Sequence, residues 1–462
     1  MRVLVVGGGV SGLTAAFRLH RDGADVTLLE ASQRPGGRIG SVDVGGIAME
    51  TGPDSILARK PAAVDLCREL GLPLVSPGAS GAMLWTERGL TPFLKDAPFG
   101  IPGDVGDVLR WPGLSRAGRR RALRDLLIGR RKDGAEESLG SLLRRRLGDE
   151  ATDRAVAPLL AGLYAGDIDR LSASSTFPEL IAWERSQGSL IRGSQAAKRN
   201  ARDAGDGKPA PMFVKPRDGM ASLTDALARV LGDRIRAGVA AESIAALGSG
   251  YSVRTADGKV LEADTVIVAT PAAAAAAQLR DLAPAAAEEL DAIRLVSTSV
   301  VSFAYAEGTQ SALADGTGFV VPRGMAPMTA ATWVSNKWPD PAFGTRAVVR
   351  CFVGTAGEED VLDAPDQDII DACARHLAAV VPLPAEPEAA VVVRWPASMP
   401  QYEVGHAARV ERIRQHLPEG IFVIGNAYDG IGIPDCVRAA TDIAGRLLAR
   451  TGALEDGPKE QT

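Results

Sequence analysis

The sequence predicts an α/β protein: a parallel, doubly wound sheet assembled from discontinuous segments, joined to a second, mixed-sheet domain of α+β character and to a helical subdomain. Three observations carry this reading. The chain opens on the apolar run Arg2-Val3-Leu4-Val5-Val6, which reads as a buried parallel strand and enters a glycine turn followed by helical periodicity. That unit has too few strands to close a sheet, and buried strands of the same kind recur only far downstream, at 264–271 and 420–426. Between them, residues 101–205 lose aromatic and β-branched side chains and become helical and arginine-rich. A chain of 462 residues is too long for one simple core. The expected division is 1–75, 212–290 and 410–452 for the first domain, 76–100 and 291–409 for the second, and 101–205 for the helical subdomain. A polar, disordered tail is expected at 453–462.

The first element is the most specific. In Gly7-Gly8-Gly9-Val10-Ser11-Gly12, Gly7 permits a tight turn, Gly9 lets backbone approach a pyrophosphate, and Gly12 lets the helix pack on the strand. The helix that follows (Leu13, Ala16, Phe17, Leu19) offers free N–H groups and a positive dipole end to phosphate, and stops at Asp22-Gly23. A second strand, Val26 to Leu29, ends at Glu30, eighteen residues after Gly12 and suited to ribose hydroxyls. Strand, helix and acid in these places define a Rossmann-like dinucleotide-binding unit rather than a glycine-rich turn without ligand. Next come Ala31 and the run Arg34-Pro35-Gly36-Gly37-Arg38, where paired glycines and an arginine suit a loop pressed on a phosphate or a flavin edge. The plainer alternative is a surface turn.

The remaining elements follow in order. Met49 to Ser55 reads as a turn, and Ala62 to Leu70 as a helix with Pro61 in its first turn and Gly71 at its close. The basic stretch 116–132 (Arg116, Arg119, Arg120, Arg121, Arg124, Arg130, Arg131, Lys132) interleaves with Leu123, Leu126, Leu127 and Ile128. It suits either an anionic membrane surface or a solvated helix face. Asn200 to Pro211 reads as a mobile loop. Gly219-Met220-Ala221-Ser222-Leu223 opens a helix to Leu231, and strands are expected at 235–247, 251–255 and 264–271, the last leading into an alanine helix. Segments 296–305, 317–322, 329–334 and 347–354 supply a second sheet. After the strand at 420–426, the run Asp429 to Cys436 opens the last helix.

Composition excludes several classes. A hydrophobic content of 46% with 24% charged residues is that of a soluble globular protein. A net charge of −5 argues against nucleic acid as a partner. Cys67, Cys351, Cys373 and Cys436 are scattered, which fits a reduced cytoplasmic protein rather than a disulfide framework. His20, His376, His406 and His416 have no ligand spacing, so no metal is expected. No apolar run of about 20 residues spans a membrane, and the N-terminus enters a core strand without a signal peptide.

The run from Val3 to Arg38 resembles the N-terminus of the amine-oxidase-like flavoproteins, which implies non-covalent FAD. Further motifs resemble one branch of that superfamily, the oxygen-dependent porphyrinogen oxidases of haem biosynthesis. They are Met49 to Leu57, Pro158 to Leu180, Gly219 to Leu223, Arg394 to Tyr402 and Gly430 to Cys436. The resemblance implies that Gly52, Pro53, Asp54 and Ser55 line the flavin, that Trp395 touches it, and that Gly430, Ile431, Gly432 and Ile433 bring backbone to its pyrimidine end. The helix after Pro434 would then favour reduced flavin through its dipole. The resemblance puts Ala241, three residues after Gly238, at the adenine. It makes Arg59 or Lys60 the partner of a substrate propionate and Thr317, Gly318, Phe319 and Val320 a strand of the substrate pocket. Trp395 as simple core and Lys60 as a helix-start cation are the plainer alternatives.

The implied reaction is oxidation of coproporphyrinogen III to coproporphyrin III, with O2 as acceptor and H2O2 as by-product. Abundant Ala, Arg and Gly suggest a GC-rich genome, and in such Gram-positive bacteria the family usually acts on this substrate. Protoporphyrinogen IX, another flavin amine oxidase or desaturase, and a non-enzymatic flavin or porphyrin carrier are the alternatives. A ferrochelatase is the implied acceptor of product, and the implied location is the cytoplasm, peripheral to the inner face of the membrane. Hydride transfer to flavin asks mainly for positioning, and no acid, base or nucleophile in the sequence identifies itself as catalytic.

Overall fold

The computed structural model describes residues 1–131, 134–203 and 211–455. Its first sheet is parallel throughout, in the order Ile235–Ala237, Asp25–Glu30, Arg2–Val6, Thr265–Val268, Ile421–Val423. Three separated stretches of chain therefore complete one sheet. On one face helix Val10–Arg21 packs against the last helix, Ile433–Glu455, and against Ala221–Leu231. Val5, Leu13, Leu19 and Leu28 are fully buried there, each worth about 1.5–3 kcal/mol of apolar burial. The other face is covered by the alanine helix Ala272–Leu279, helix Pro284–Asp291 and a three-stranded antiparallel sheet, Ala241–Leu247, Gly250–Thr255 and Val260–Ala263.

The second sheet has seven strands, in the order Ala389–Pro400, Leu295–Ala304, Val348–Val353, Met328–Trp333, Gly318–Val320, Met83–Thr86, Gly89–Pro92. Pleat alternation gives it two unlike faces. Phe303, Phe319, Trp333, Val349, Cys351 and Val353 form a core with helix Asp366–Val380. The opposite face carries Ser302, Arg350 and Thr332, which stand side by side in register.

The helical subdomain closes over its own core, with Trp111, Leu142, Leu143 and Leu171 at 0–1% exposure. It is pinned by Arg146, wholly buried, whose guanidinium bonds Asp125 and the carbonyls of Ile128 and Gly129. Asp125 in turn accepts from the Ser189 hydroxyl and the Ile191 N–H.

Several boundaries differ from expectation. Met49 and Glu50 belong to a hairpin, Ser41–Val44 with Ile47–Glu50, rather than to a turn. That hairpin packs through Val44, Ile47 and Met49 on Ala304, Val334, Phe343 and Val348. The last helix runs through 453–455, expected as tail; 456–462 and most of the expected mobile loop lie outside the described residues, as does Lys132. In the basic stretch, Arg121 donates to the carbonyls of Arg144, Arg145 and Arg146, and Arg119 to that of Trp111. These cations hold helix ends together, so the cationic face is smaller than the sequence suggests. Among the described residues no helix is long and apolar enough to cross a membrane.

Candidate active site

The glycine loop is built for a ligand. Gly7 has φ +106° and lies against the Ala269 carbonyl, and a Cβ on Gly12 would fall 1.9 Å from the Gly7 oxygen. Those two glycines are demanded by packing. A Cβ on Gly9, in contrast, would meet nothing within 4 Å. Gly9 is also the N-cap of helix Val10–Arg21, and no side chain caps that end. Open space in front of an uncapped helix N-terminus, with Ser11 buried beside it, fits a pyrophosphate.

The other predicted cofactor residues converge on this loop. Gly36 N–H donates to the Gly8 carbonyl at 2.8 Å, and Gly37 sits against the Gly9 backbone. Arg38 follows, half-buried and with no carboxylate partner among the described residues; burial lowers its pKa. A guanidinium desolvated without an anion fits a phosphate-bearing ligand at this spot. The Glu30 carboxylate accepts from Gly8 N–H at 2.7 Å and from Ser32 N–H at 2.8 Å. One face of it fixes the glycine loop, and its remaining lone pair is available to a ribose. Ala31 is exposed beside it.

Ala241, expected at the adenine, opens the antiparallel sheet. Its carbonyl accepts from Gln278 Nε2 at 3.0 Å, at the start of the antiparallel sheet. Val239 is the residue whose N–H donates to the Glu30 carbonyl, at 2.8 Å, and Gly238 N–H donates to Ser32. The signal was adjacency: Val239 directly follows the glycine that turns the chain at φ +74°.

At the other end, Gly52 leaves no room for a side chain, since its Cβ would stand 2.3 Å from the Arg38 carbonyl. Trp395 Nε1 donates to the Thr51 carbonyl at 2.8 Å, so the half-buried indole lies on this turn rather than in the core. A bulge between Val296 and Thr298, with Ala397 at φ +43°, aims it there. Asp54 binds Lys337 Nζ through both oxygens, at 3.0 and 2.9 Å, and accepts from Ser55 Oγ at 2.8 Å. Burial alone would raise Asp54, but Lys337 and Arg350 outweigh it and hold the carboxyl at about 2. Glu50 moves the other way because burial dominates, although Oε1 accepts from Met220 N–H. Sequence reasoning missed Lys337, Arg350 and Glu50, whose partners stand far away along the chain.

The loop before the last helix closes the site. Gly430, at φ +126°, would clash with Asp435 if it carried a Cβ, and its N–H donates to the Tyr402 hydroxyl at 2.9 Å. That hydroxyl donates to the Asn426 carbonyl at 2.7 Å. Tyr402 stacks on buried His406 at 3.9 Å, and burial presses the imidazole down to about 4. Gly432 accepts from the Asp435 and Cys436 N–H groups, Ile431 reaches the helical core, and Ile433 packs under the first sheet.

The expected substrate residues do not gather in one place. Lys60 binds both oxygens of Asp435 at 2.8 Å, so its ammonium is engaged at the loop before the last helix. Arg59 pairs with Glu179 at 3.2 Å on the surface. Gly318 has Ala331 where a Cβ would stand, Thr317 Oγ1 donates to Gly81, and Phe319 turns into the core against Trp85 and Trp333. Val320 is half-buried and leads into Val321, where a cavity of about 860 Å³ begins. It lies between the seven-stranded sheet and the helical subdomain and is lined by Trp85, Leu114, Ile168 and Met328 with Arg88, Arg119 and Arg154. Asp153 and Asp169, also in its wall, are paired with Arg144, and Glu358 with Arg323. Arg88 and Arg154 make no ion pair with a described residue. Among the described residues no group of His, Cys, Asp and Glu is arranged to hold a metal ion.

A glycine lattice under an uncapped helix, with Arg38 against the Gly52 turn and Trp395 of the second domain bonded to Thr51 in that turn, is the architecture of an FAD-binding oxidoreductase. The chain belongs to the flavin-containing amine oxidoreductase family, whose model matches residues 10–448. It is 36% identical to a coproporphyrinogen III oxidase of Bacillus subtilis, over 94% of this chain and 95% of that one. It is 31% identical to the enzyme of that name from Staphylococcus aureus, over 97% and 99%. Among solved structures it is similar to a provisionally named protoporphyrinogen oxidase of Exiguobacterium sp. 255-15, with a TM-score of 0.86, 32% identity, and 97% and 99% coverage.

Proposed function

We propose that this chain oxidises coproporphyrinogen III to coproporphyrin III, consuming three O2 and releasing three H2O2 per macrocycle. The observation that carries the reading is end-to-end similarity to proteins of that name. FAD, when bound, supplies the two-electron acceptor that O2 recharges. The chain's own part is to bind and orient. The substrate is an apolar ring with four propionate arms, and the cavity beside Val321 offers an apolar floor with Arg88, Arg119 and Arg154 in a wall where arginines and carboxylates are equal in number, Glu87 and Asp167 among the latter. Protoporphyrinogen IX has only two such arms, so a pocket that pairs the extra carboxylates discriminates against it.

The same reading takes the product to a ferrochelatase and the protein to the inner face of an anionic membrane. Exposed Arg116, Arg120 and Arg124 beside Leu127, 87% exposed, support that contact. Co-sedimentation with anionic vesicles is expected at low salt and lost at high salt; retention that needs detergent would contradict it. The deciding assay compares porphyrin fluorescence from both porphyrinogens side by side. A larger kcat/KM for coproporphyrinogen III is expected. Equal or better protoporphyrinogen turnover reverses the substrate assignment, and a yellow protein inert to both rejects the reaction.

A further inference from the structure

The seven-stranded sheet holds a buried guanidinium that the reaction above does not use. The Arg350 side chain is 1% exposed and stands on the face that looks toward the Thr51–Asp54 turn. Its Nη2 donates to the Gly52 carbonyl at 2.5 Å, and its Nη1 lies 3.8 Å from Asp54. Neither Nε nor Nη1 has a hydrogen-bond partner among the described residues, and nor does the hydroxyl of Ser302, its register neighbour.

A buried cation with open donors is costly, and a neutral side chain would fill this space more cheaply. Asp54 balances it only in part, because the same carboxylate faces Lys337 through both of its oxygens and Arg350 at 3.8 Å, and the other nearby acid, Glu50, is itself pushed up by burial. Position supplies the reason. Trp395 holds the Thr51 carbonyl, Arg350 the Gly52 carbonyl and Lys337 the Asp54 carboxylate. Three side chains of one domain thus suspend consecutive parts of a turn from the other, and Gly52 presses on Arg38 of the cofactor loop.

We propose that Arg350 is a positioning residue for the flavin: it fixes the Gly52 carbonyl, and its charge, only partly offset by an Asp54 carboxylate shared with Lys337, favours the anionic reduced cofactor over the oxidised one. The inference rests on the assignment of Gly52–Ser55 to the flavin ring. The test is a redox titration of the FAD-loaded full chain, followed by visible absorbance. Arg350→Gln removes the charge and keeps an amide donor; Arg350→Lys keeps the charge and loses the fork. At a fixed poise the ratio of reduced to oxidised flavin is expected to fall about tenfold in the glutamine variant, about 30 mV for a two-electron couple. It is expected to stay within threefold in the lysine variant. Less than threefold change in the glutamine variant, or equal changes in both, overturns the proposal. If the glutamine variant does not fold, Asp54→Asn decides: removing the opposing charge should raise the ratio at least threefold, and a smaller rise or a fall overturns it. A chain that holds no flavin would fail the cofactor assignment itself, whereas unmoved potentials in a yellow protein fail only this inference.

Discussion

At the end read as the phosphate end the candidate site is made of backbone; at the end proposed for the flavin ring it is made of long side chains that reach in from the seven-stranded sheet and the segment beside it. Gly7, Gly9, Gly12, Gly36 and Gly37 work because they lack side chains, and their contacts fall within one loop and its neighbour. Around Gly52 the work is done by Trp395, Arg350 and Lys337, each roughly 300 residues away along the chain. Backbone cradles tolerate no added atom, whereas side-chain suspensions tolerate no lost partner. The two ends should therefore fail in opposite ways.

The largest effect is expected at the ring end. Lys337→Met strands the Asp54 carboxylate, 12% exposed, and should cost about 3–5 kcal/mol in urea unfolding. Lys337→Met with Asp54→Asn should recover most of that loss; no recovery would show that packing, not charge, holds the turn.

The phosphate end separates folding from binding. Gly12→Ala drives a methyl into the Gly7 carbonyl and should destabilise the apoprotein by about 3 kcal/mol. Gly9→Ala should leave the apoprotein melting temperature unchanged yet strip FAD on gel filtration, because its methyl enters only the ligand's space. Equal loss of stability in both variants would break the contrast.

A comparable effect is pH-dependent and lies under the loop before the last helix, where Tyr402 bonds Gly430 and stacks on His406. His406 titrates near 4 in the fold against 6.5 unfolded. The folded state therefore binds fewer protons between these values, and stability is full above pH 6.5 and lost as pH falls toward 4. The loss should reach about 3 kcal/mol, at about 1.4 per pH unit. His406→Phe should flatten this part of the profile, and an unchanged acid slope would place the titration elsewhere. The smallest effect is at the surface: Arg59→Ala breaks an exposed pair with Glu179 and should cost about 0.5 kcal/mol by thermal unfolding. A loss above about 2 kcal/mol would mean the helical subdomain is docked through that pair.

This contrast also explains what could be read in advance. The glycine loop, Glu30, the three-segment parallel sheet and the helical middle were legible because each depends on local periodicity or on the absence of side chains. Trp395 was placed by resemblance, and its hydrogen bond to Thr51 is a tertiary fact. Lys337 and Arg350 gave no signal, since a lysine after a short strand and an arginine inside one look like ordinary surface cations. The pairing of Lys60 with Asp435 was silent for the same reason, its partner lying at the far end of the sequence. The packing of the hairpin at 41–50 on the other sheet was not legible, because its apolar face gives no local sign of which sheet it will meet.

Threading one sheet through residues 2, 265 and 421 has a consequence for assembly. Helix Val10–Arg21 packs on Ile433–Glu455, and the strand at Ile421–Val423 pairs with Thr265–Val268. Contacts of such sequence separation are slow to form and late to stabilise. The glycine loop is therefore expected to gain its helical backing only when the segment holding Ile433–Glu455 docks, so a chain that lacks this segment should fold poorly around the loop.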